Sequence, residues 1–229
     1  MCHALLAPRE ANRLVCPVCR QRWKAVRPPW CERCGQPEPH FGPCRLCVEW
    51  PAAFRSVRSA VWLDENARPA VHALKYTGLP RIADDLAIAM AKLQSPADGA
   101  SVLIPIPLAK KRLRERGYNQ SEMLARALAR QWRIPVLVDL LARTRETPTQ
   151  TALTPATRLA NVAGAFEVRN AKFGMRNFAF RLSNCELILV DDVFTTGATL
   201  AEAARALEQA GAKQILGVTF ARAAIADFT

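Results

Sequence analysis

The chain has 229 residues, with 32 Lys+Arg against 20 Asp+Glu and a formal net charge of +12. Domains run to roughly 100–200 residues, so this length suits one main domain plus a small module, and a hydrophobic content of 50% excludes global disorder. No stretch approaches the roughly 18 consecutive apolar residues of a spanning helix, and the Leu5-Leu6 run is too short for a signal-peptide core, so the reading is a soluble cytoplasmic protein with no membrane insertion.

Residues 1–52 stand apart as a Cys-rich module. They are rich in Cys, Pro, Arg and Trp and show no long apolar period. Six of the eight cysteines form Cys-x-x-Cys pairs there, Cys16/Cys19, Cys31/Cys34 and Cys44/Cys47. In a chain read as intracellular, such pairs point to metal and not to disulfides. Cys31, Cys34, Cys44 and Cys47 have the spacing of a zinc ribbon. Four thiolates close a tetrahedral Zn²⁺ site, which makes that zinc structural. A segment too poor in apolar residues to build its own core gains its stability from the metal.

Residues 53–229 read as an α/β domain. Val57–Trp62 is a strand. Helices follow at Pro69–Tyr76 and Arg81–Leu93, the second with Ile82, Leu86 and Met90 on one face. Ser101–Ile106 is a buried strand ending at Pro105-Ile106-Pro107. A basic segment, Lys110 to Arg116, leads to Gly117-Tyr118-Asn119-Gln120. Asn119 and Glu122 have the spacing of a helix cap and its partner, before a stripe of Leu124, Leu128 and Trp132. A strand is expected over Val136–Leu141. Residues 143–161 read as a long loop, and Phe166–Ser183 as either a hairpin or irregular chain.

The last third is the most regular. The apolar run Leu187–Val190 leads into Asp191-Asp192-Val193-Phe194-Thr195-Thr196-Gly197-Ala198-Thr199, then a helix over Leu200–Ala210 and a second apolar run, Ile215–Ala221. Strand, loop, helix and strand make a βαβ unit, and hence a parallel sheet. Ligands of such sheets bind at the carboxyl ends of the strands, where Asp191 and Asp192 fall. The turn behind them opens onto a helix N-terminus, whose free N–H groups and dipole favour an anion. Gly197 permits close backbone approach, and the threonines add hydroxyls. Two adjacent carboxylates beside a phosphate cradle suit a sugar diol or a Mg²⁺ ion. Gly-Lys-Ser/Thr and Gly-x-Gly-x-x-Gly are both absent, which excludes a Walker loop and a dinucleotide fingerprint.

The stretch from Val190 to Thr199 resembles the signature of type I phosphoribosyltransferases, which bind phosphoribosyl pyrophosphate (PRPP). The resemblance implies that fold: a parallel sheet with flanking helices, here beside a small N-terminal zinc-ribbon module. It places the two acids, Asp191 and Asp192, at the ribose hydroxyls. It places Thr195, Thr196, Gly197, Ala198 and Thr199 around the 5′-phosphate. Ile104–Leu108, Arg112–Gln120, Leu74-Lys75-Tyr76, the Thr147/Gln150 stretch, and Arg158 with Asn161 resemble, in order, the ComF family of competence-associated proteins. In that family a further Cys-x-x-Cys pair stands near the N-terminus. This chain has Cys2 and His3 there, so Cys16 and Cys19 either complete a second metal site with them or belong to a degenerate one. His40 and His72 show no partner, and Cys185 reads as a small apolar residue.

Arg112, Arg116 and Lys75 are the candidates to grip the pyrophosphate, since arginine forks bind phosphate in a bidentate way. Two functions follow. One is an enzyme for pentosyl transfer, in nucleotide salvage or related metabolism, although no residue identifies the acceptor. The other, implied by the ComF resemblance, is DNA uptake in transformation: a non-catalytic accessory protein for single-stranded DNA or a helicase partner, with Trp23, Trp30 and Trp50 as stacking platforms.

Overall fold

The computed structural model describes residues 2, 12–37, 43–93, 101–145, 163–169 and 182–224. A short helix, α1 (Pro17–Gln21), begins at the N-cap Cys16. Strand β1 (Phe54–Trp62) precedes α2 (Arg68–Tyr76) and α3 (Ile82–Met90). Then come β2 (Ser101–Pro105), α4 (Lys110–Arg116), α5 (Gln120–Trp132), β3 (Leu141–Arg143) and β4 (Phe166–Val168). The chain continues through β5 (Glu186–Phe194), α6 (Ala198–Gln209) and β6 (Gln214–Arg222).

Four strands form a parallel sheet in the order β1-β6-β5-β2. β5 is central, with Val190 opposite Pro105 on one side and Val218 on the other. Leu187, Ile188, Leu189 and Val190 are all buried because both faces of the sheet are covered. Ile188 and Val190 pack toward α2, α3 and α5. Leu187 and Leu189 pack toward α6 and the Cys-rich segment. The apolar stripes of α3 and α5 predicted from periodicity are the buried faces of those helices.

The Cys-rich segment has no core of its own and shares that of the sheet. Val15, Cys16, Cys19 and Trp23 join the cluster of Leu74 and Phe220. Cys34, Cys47 and Trp50 join the cluster of Phe54, Leu200 and Ile215. Polar ties lock both attachments. Asp85 on α3, 1% exposed, accepts from the backbone N–H groups of Leu14 at 2.7 Å and Val15 at 3.0 Å, and from Arg20 at 3.1 Å. Arg33 donates to the carbonyls of Cys47, Trp50, Pro51 and Phe54 at 2.6–3.2 Å.

Two sequence expectations are corrected, and one segment with no predicted element is a helix. Val136–Leu141 is not a continuous strand: Val136 makes a single parallel bridge to Leu103, and the chain then turns before β3. The basic segment is a helix, α4, ended by Gly117 at φ 80°, a left-handed conformation that suits glycine. Trp23 and Trp50 are buried in the core, where Trp23 meets Phe220 edge-on and Trp50 stacks on Phe54, so neither is a stacking platform. His3, His40, Thr147, Gln150, Arg158 and Asn161 lie outside the described residues, as do most of the expected 143–161 loop and 166–183 hairpin. No helix among the described residues is long and apolar enough to cross a membrane.

Candidate functional site

A cleft of about 980 Å³ opens where β5 runs out and α6 begins. Asp191 and Asp192 lie near the carboxyl end of β5, where Asp191 pairs opposite Thr219 of β6, and both line the cleft. Thr195, Gly197, Ala198 and Thr199 line its far wall, with the first turn of α6 opening into it. Gly197 is the N-cap of α6 at φ 79°, and a Cβ there would fall 2.5 Å from Trp50, so only glycine fits. Thr196 does not line the cleft. It is 6% exposed, and its hydroxyl makes no hydrogen bond to the described residues.

The opposite wall is basic. Arg112 and Arg116, one turn apart on α4, both line the cleft, as does Lys75 near the end of α2. Of the remaining α4 charges, Lys110, Lys111 and Arg114 are exposed and outside the lining, while the exposed Glu115 lines it. Arg116 sits 5.3 Å over the Tyr76 ring and is held by the Gln120 side chain. Lys75 is engaged within the site, with Nζ 2.5 Å from Asp192 Oδ2. Burial works against its charge, but Asp192 and Asp191 outweigh burial and hold the Lys75 pKa above its usual value.

The segment from Arg116 to Ser121 acts as the frame of the site. Tyr118 donates to the Leu74 carbonyl at 2.6 Å, which fixes α2 beside Lys75. Asn119 caps α5 by accepting from the Ser121 N–H at 3.1 Å, not from Glu122, and donates to the Ile106 carbonyl at 3.0 Å. Ser121 donates its hydroxyl to Asp191 Oδ1 at 2.8 Å, and the Asp192 N–H adds a second donor at 2.9 Å. Asp191 is nonetheless pushed up to about 7. Burial and the neighbouring Asp192 carboxylate raise it, and together they outweigh the Ser121 hydrogen bond and the Lys75 charge.

Ser121 and Arg143 are the site residues that sequence reading missed. Arg143 on β3 lines the cleft and packs 5.4 Å over Phe166. Burial and the facing Arg112 lower its pKa, while Asp191 opposes them, so two guanidiniums face one space. No local pattern marks Arg143, which arrives by way of the small β3–β4 sheet. Ser121 was legible in principle, as the residue following the Gly117–Gln120 motif. His72, for which the sequence shows no partner, also lines the cleft.

Seven of the eight cysteines gather as two clusters, each with sulfurs within 4.8 Å of one another. In the first, Cys31 and Cys47 are 3.7 Å apart and Cys34 and Cys44 3.5 Å. A tetrahedral Zn²⁺ with bonds of about 2.3 Å needs sulfurs roughly 3.8 Å apart, so the four residues fit that ion. Burial raises the thiols of Cys34 and Cys47, the latter to about 12, a penalty that a bound cation would reverse. The second cluster has three thiols, Cys2, Cys16 and Cys19, with Cys2 and Cys16 sulfurs at 3.4 Å. Among the described residues no fourth ligand joins it.

Comparison with known proteins matches residues 119–226 to the phosphoribosyl transferase domain. The chain is 29% identical to Competence protein ComFC of Bacillus subtilis (strain 168) over 218 residues, 90% of this chain and 82% of that one. It is 27% identical to DNA utilization protein YhgH of Escherichia coli (strain K12) over 208 residues, 88% of this chain and 87% of that one. Over a shorter span, 60% of this chain and 57% of the relative, it is 36% identical to Competence protein F of Haemophilus influenzae.

Proposed function

We propose that this chain, a member of the ComF family with a phosphoribosyltransferase-type parallel sheet, binds PRPP or a related ribose 5-phosphate ligand with Mg²⁺ and serves DNA uptake or use in the cytoplasm. One observation carries the reading. Two acids, a helix-opening Thr-Gly loop and a basic wall converge on one cleft large enough for a sugar bearing several phosphates. In this reading Asp191 and Asp192 accept from the ribose hydroxyls. Thr195, Gly197, Ala198 and Thr199 surround the 5′-phosphate with N–H groups at the positive end of α6. Arg112, Arg116 and Arg143 face the pyrophosphate, and Thr196 contributes through its backbone.

Mg²⁺ suits the oxygen donors of the two acids and supplies neutralisation of the pyrophosphate charge. Lys75 has a distinct role: it pairs with Asp192 and would turn to the pyrophosphate once the acids take the sugar. If turnover occurs, a nitrogen nucleophile bonds to C1 of the ribose as the C1–O bond to pyrophosphate breaks. The chain's contribution would then be orientation and charge stabilisation. We also propose that residues 1–52 and 53–229 are two sequence units sharing one core.

Calorimetry with PRPP and Mg²⁺ tests this. Saturable binding that is lost in Asp191→Ala/Asp192→Ala supports it. A folded wild type that takes up no PRPP overturns it.

A second reading, direct contact with single-stranded DNA, is favoured by a separate cleft of about 280 Å³ beside the edge strand β1. Trp23, Trp30, Arg20, Arg58 and Lys92 line it, and no acid does. A base against the Trp30 side and a phosphate at Lys92 would use that chemistry. Such binding should fall steeply with salt and weaken in Trp30→Ala; affinity indifferent to both would exclude it.

A further inference from the structure

The cluster of Cys31, Cys34, Cys44 and Cys47 is distant in sequence from the Thr195–Thr199 loop, yet two buried side chains connect them. Trp50 follows Cys47 by one turn, its N–H donating to the Cys47 carbonyl at 3.2 Å. The indole stacks on Phe54 at 4.7 Å and meets Phe194 edge-on at 6.2 Å. It also fills the space under Gly197 that any Cβ would need. The loop therefore rests on the residue that ends the cysteine module.

Arg222, at the end of β6, makes the second connection. It is 1% exposed, and among the described residues no carboxylate pairs with it. Its Nη1 donates to the Cys34 carbonyl at 2.8 Å and its Nη2 to Gln36 at 2.7 Å. The guanidinium lies 4.4 Å from the centre of the Phe194 ring, immediately before Thr195. A buried cation needs an anion nearby. Four thiolates around one divalent cation carry a net charge of about −2, and they lie behind the Cys34 carbonyl that Arg222 holds. The filled cluster is thus the natural counter-charge of Arg222, and Arg222 in turn holds Phe194.

We propose that Trp50 and Arg222 are positioning residues that couple closure of the four-cysteine cluster to the geometry of the Thr195–Thr199 loop, so that a thiolate-bound metal presets the anion site. The consequence for ligand affinity rests on the sugar-phosphate reading of the cleft. The mechanical coupling does not, and it can be measured without a ligand. By linkage the effect is reciprocal: whatever factor the metal adds to PRPP affinity, PRPP adds to metal affinity.

The test is hydrogen exchange of the backbone amides of residues 195–201 in the full chain. Zinc-loaded wild type, zinc-stripped wild type and zinc-loaded Arg222→Met are compared, with α5 amides of residues 124–128 as the internal reference. Exchange at 195–201 should accelerate at least about tenfold in the stripped protein and in Arg222→Met, with the α5 amides unchanged. Equal loop protection in all three proteins overturns the proposal. So does equal acceleration in loop and α5, which would make the cluster a general stability element. If stripped protein fails to fold, the zinc-loaded Arg222→Met comparison decides alone.

Zinc competition against a chelator, with and without saturating PRPP, then reads the affinity. Tighter zinc retention with PRPP in wild type, reduced in Arg222→Met, is expected. Absence of PRPP binding alongside coupled loop exchange would sink the sugar-phosphate reading and leave the coupling standing.

Discussion

Asp191 is the residue on which the chemistry of the cleft turns. Held at about 7, it is near half-protonated at neutral pH, whereas an ordinary aspartate would be fully ionised. Because its folded value is raised, the unfolded chain loses this proton first. Its contribution to stability therefore declines as pH rises from about 4 to about 7. On the proposed sugar-phosphate reading, ligand binding runs the other way, because ribose hydroxyls would donate to the ionised form. Affinity for PRPP should rise with pH through about 7, and Asp191→Asn should flatten that limb; calorimetry between pH 6 and 8 reads both. Ser121→Ala removes a donor to the carboxylate and should move the limb upward. Lys75 is the other residue with a calculable consequence. Its removal leaves Asp192, 3% exposed, without its counter-charge. Lys75→Met should destabilise the chain by about 3 kcal/mol in urea unfolding, and adding Asp192→Asn should recover part of that.

At the scale of elements, the turn between α4 and α5 does more than connect. Gly117 stops α4 so that Arg112 and Arg116 face the cleft, and Asn119 starts α5 while holding Ile106 at the end of β2. Asn119→Ala loses a cap and the bond to the Ile106 carbonyl together, an expected cost of about 1–2 kcal/mol by chemical denaturation. The element boundaries that periodicity marked well, those of α2, α5 and α6, are those where a buried apolar face ends at a capping or turn residue. The basic helix α4 was not legible as a helix because none of its residues is buried, and an apolar stripe is what periodicity detects.

For the molecule as a whole, the cysteine module and the sheet are a single packed body. Arg33 carries much of that union through its contacts to four carbonyls. Arg33→Met leaves those carbonyls unpaired and should cost about 3 kcal/mol. A chain of this size loses about 2–4 °C per kcal/mol, so the melting temperature should fall by about 6–12 °C in a calorimetric scan. The melting transition should remain single, because both core clusters mix residues from the module and the sheet.

Local patterns in the amino-acid sequence were enough for the parallel βαβ unit, the acids near its strand end, the glycine turn that opens α6 and the four-cysteine cluster. Each is a local pattern whose spacing dictates its geometry: an apolar run buried on two faces, a glycine at a left-handed turn, thiols two residues apart. Only the tertiary structure decided that Lys75 pairs with Asp192, that Ser121 holds Asp191, that Arg143 enters the cleft, and that Trp50 and Arg222 join the cysteine cluster to the loop. Those are contacts between elements far apart in the chain. They are set by which faces pack together, and no local periodicity encodes that.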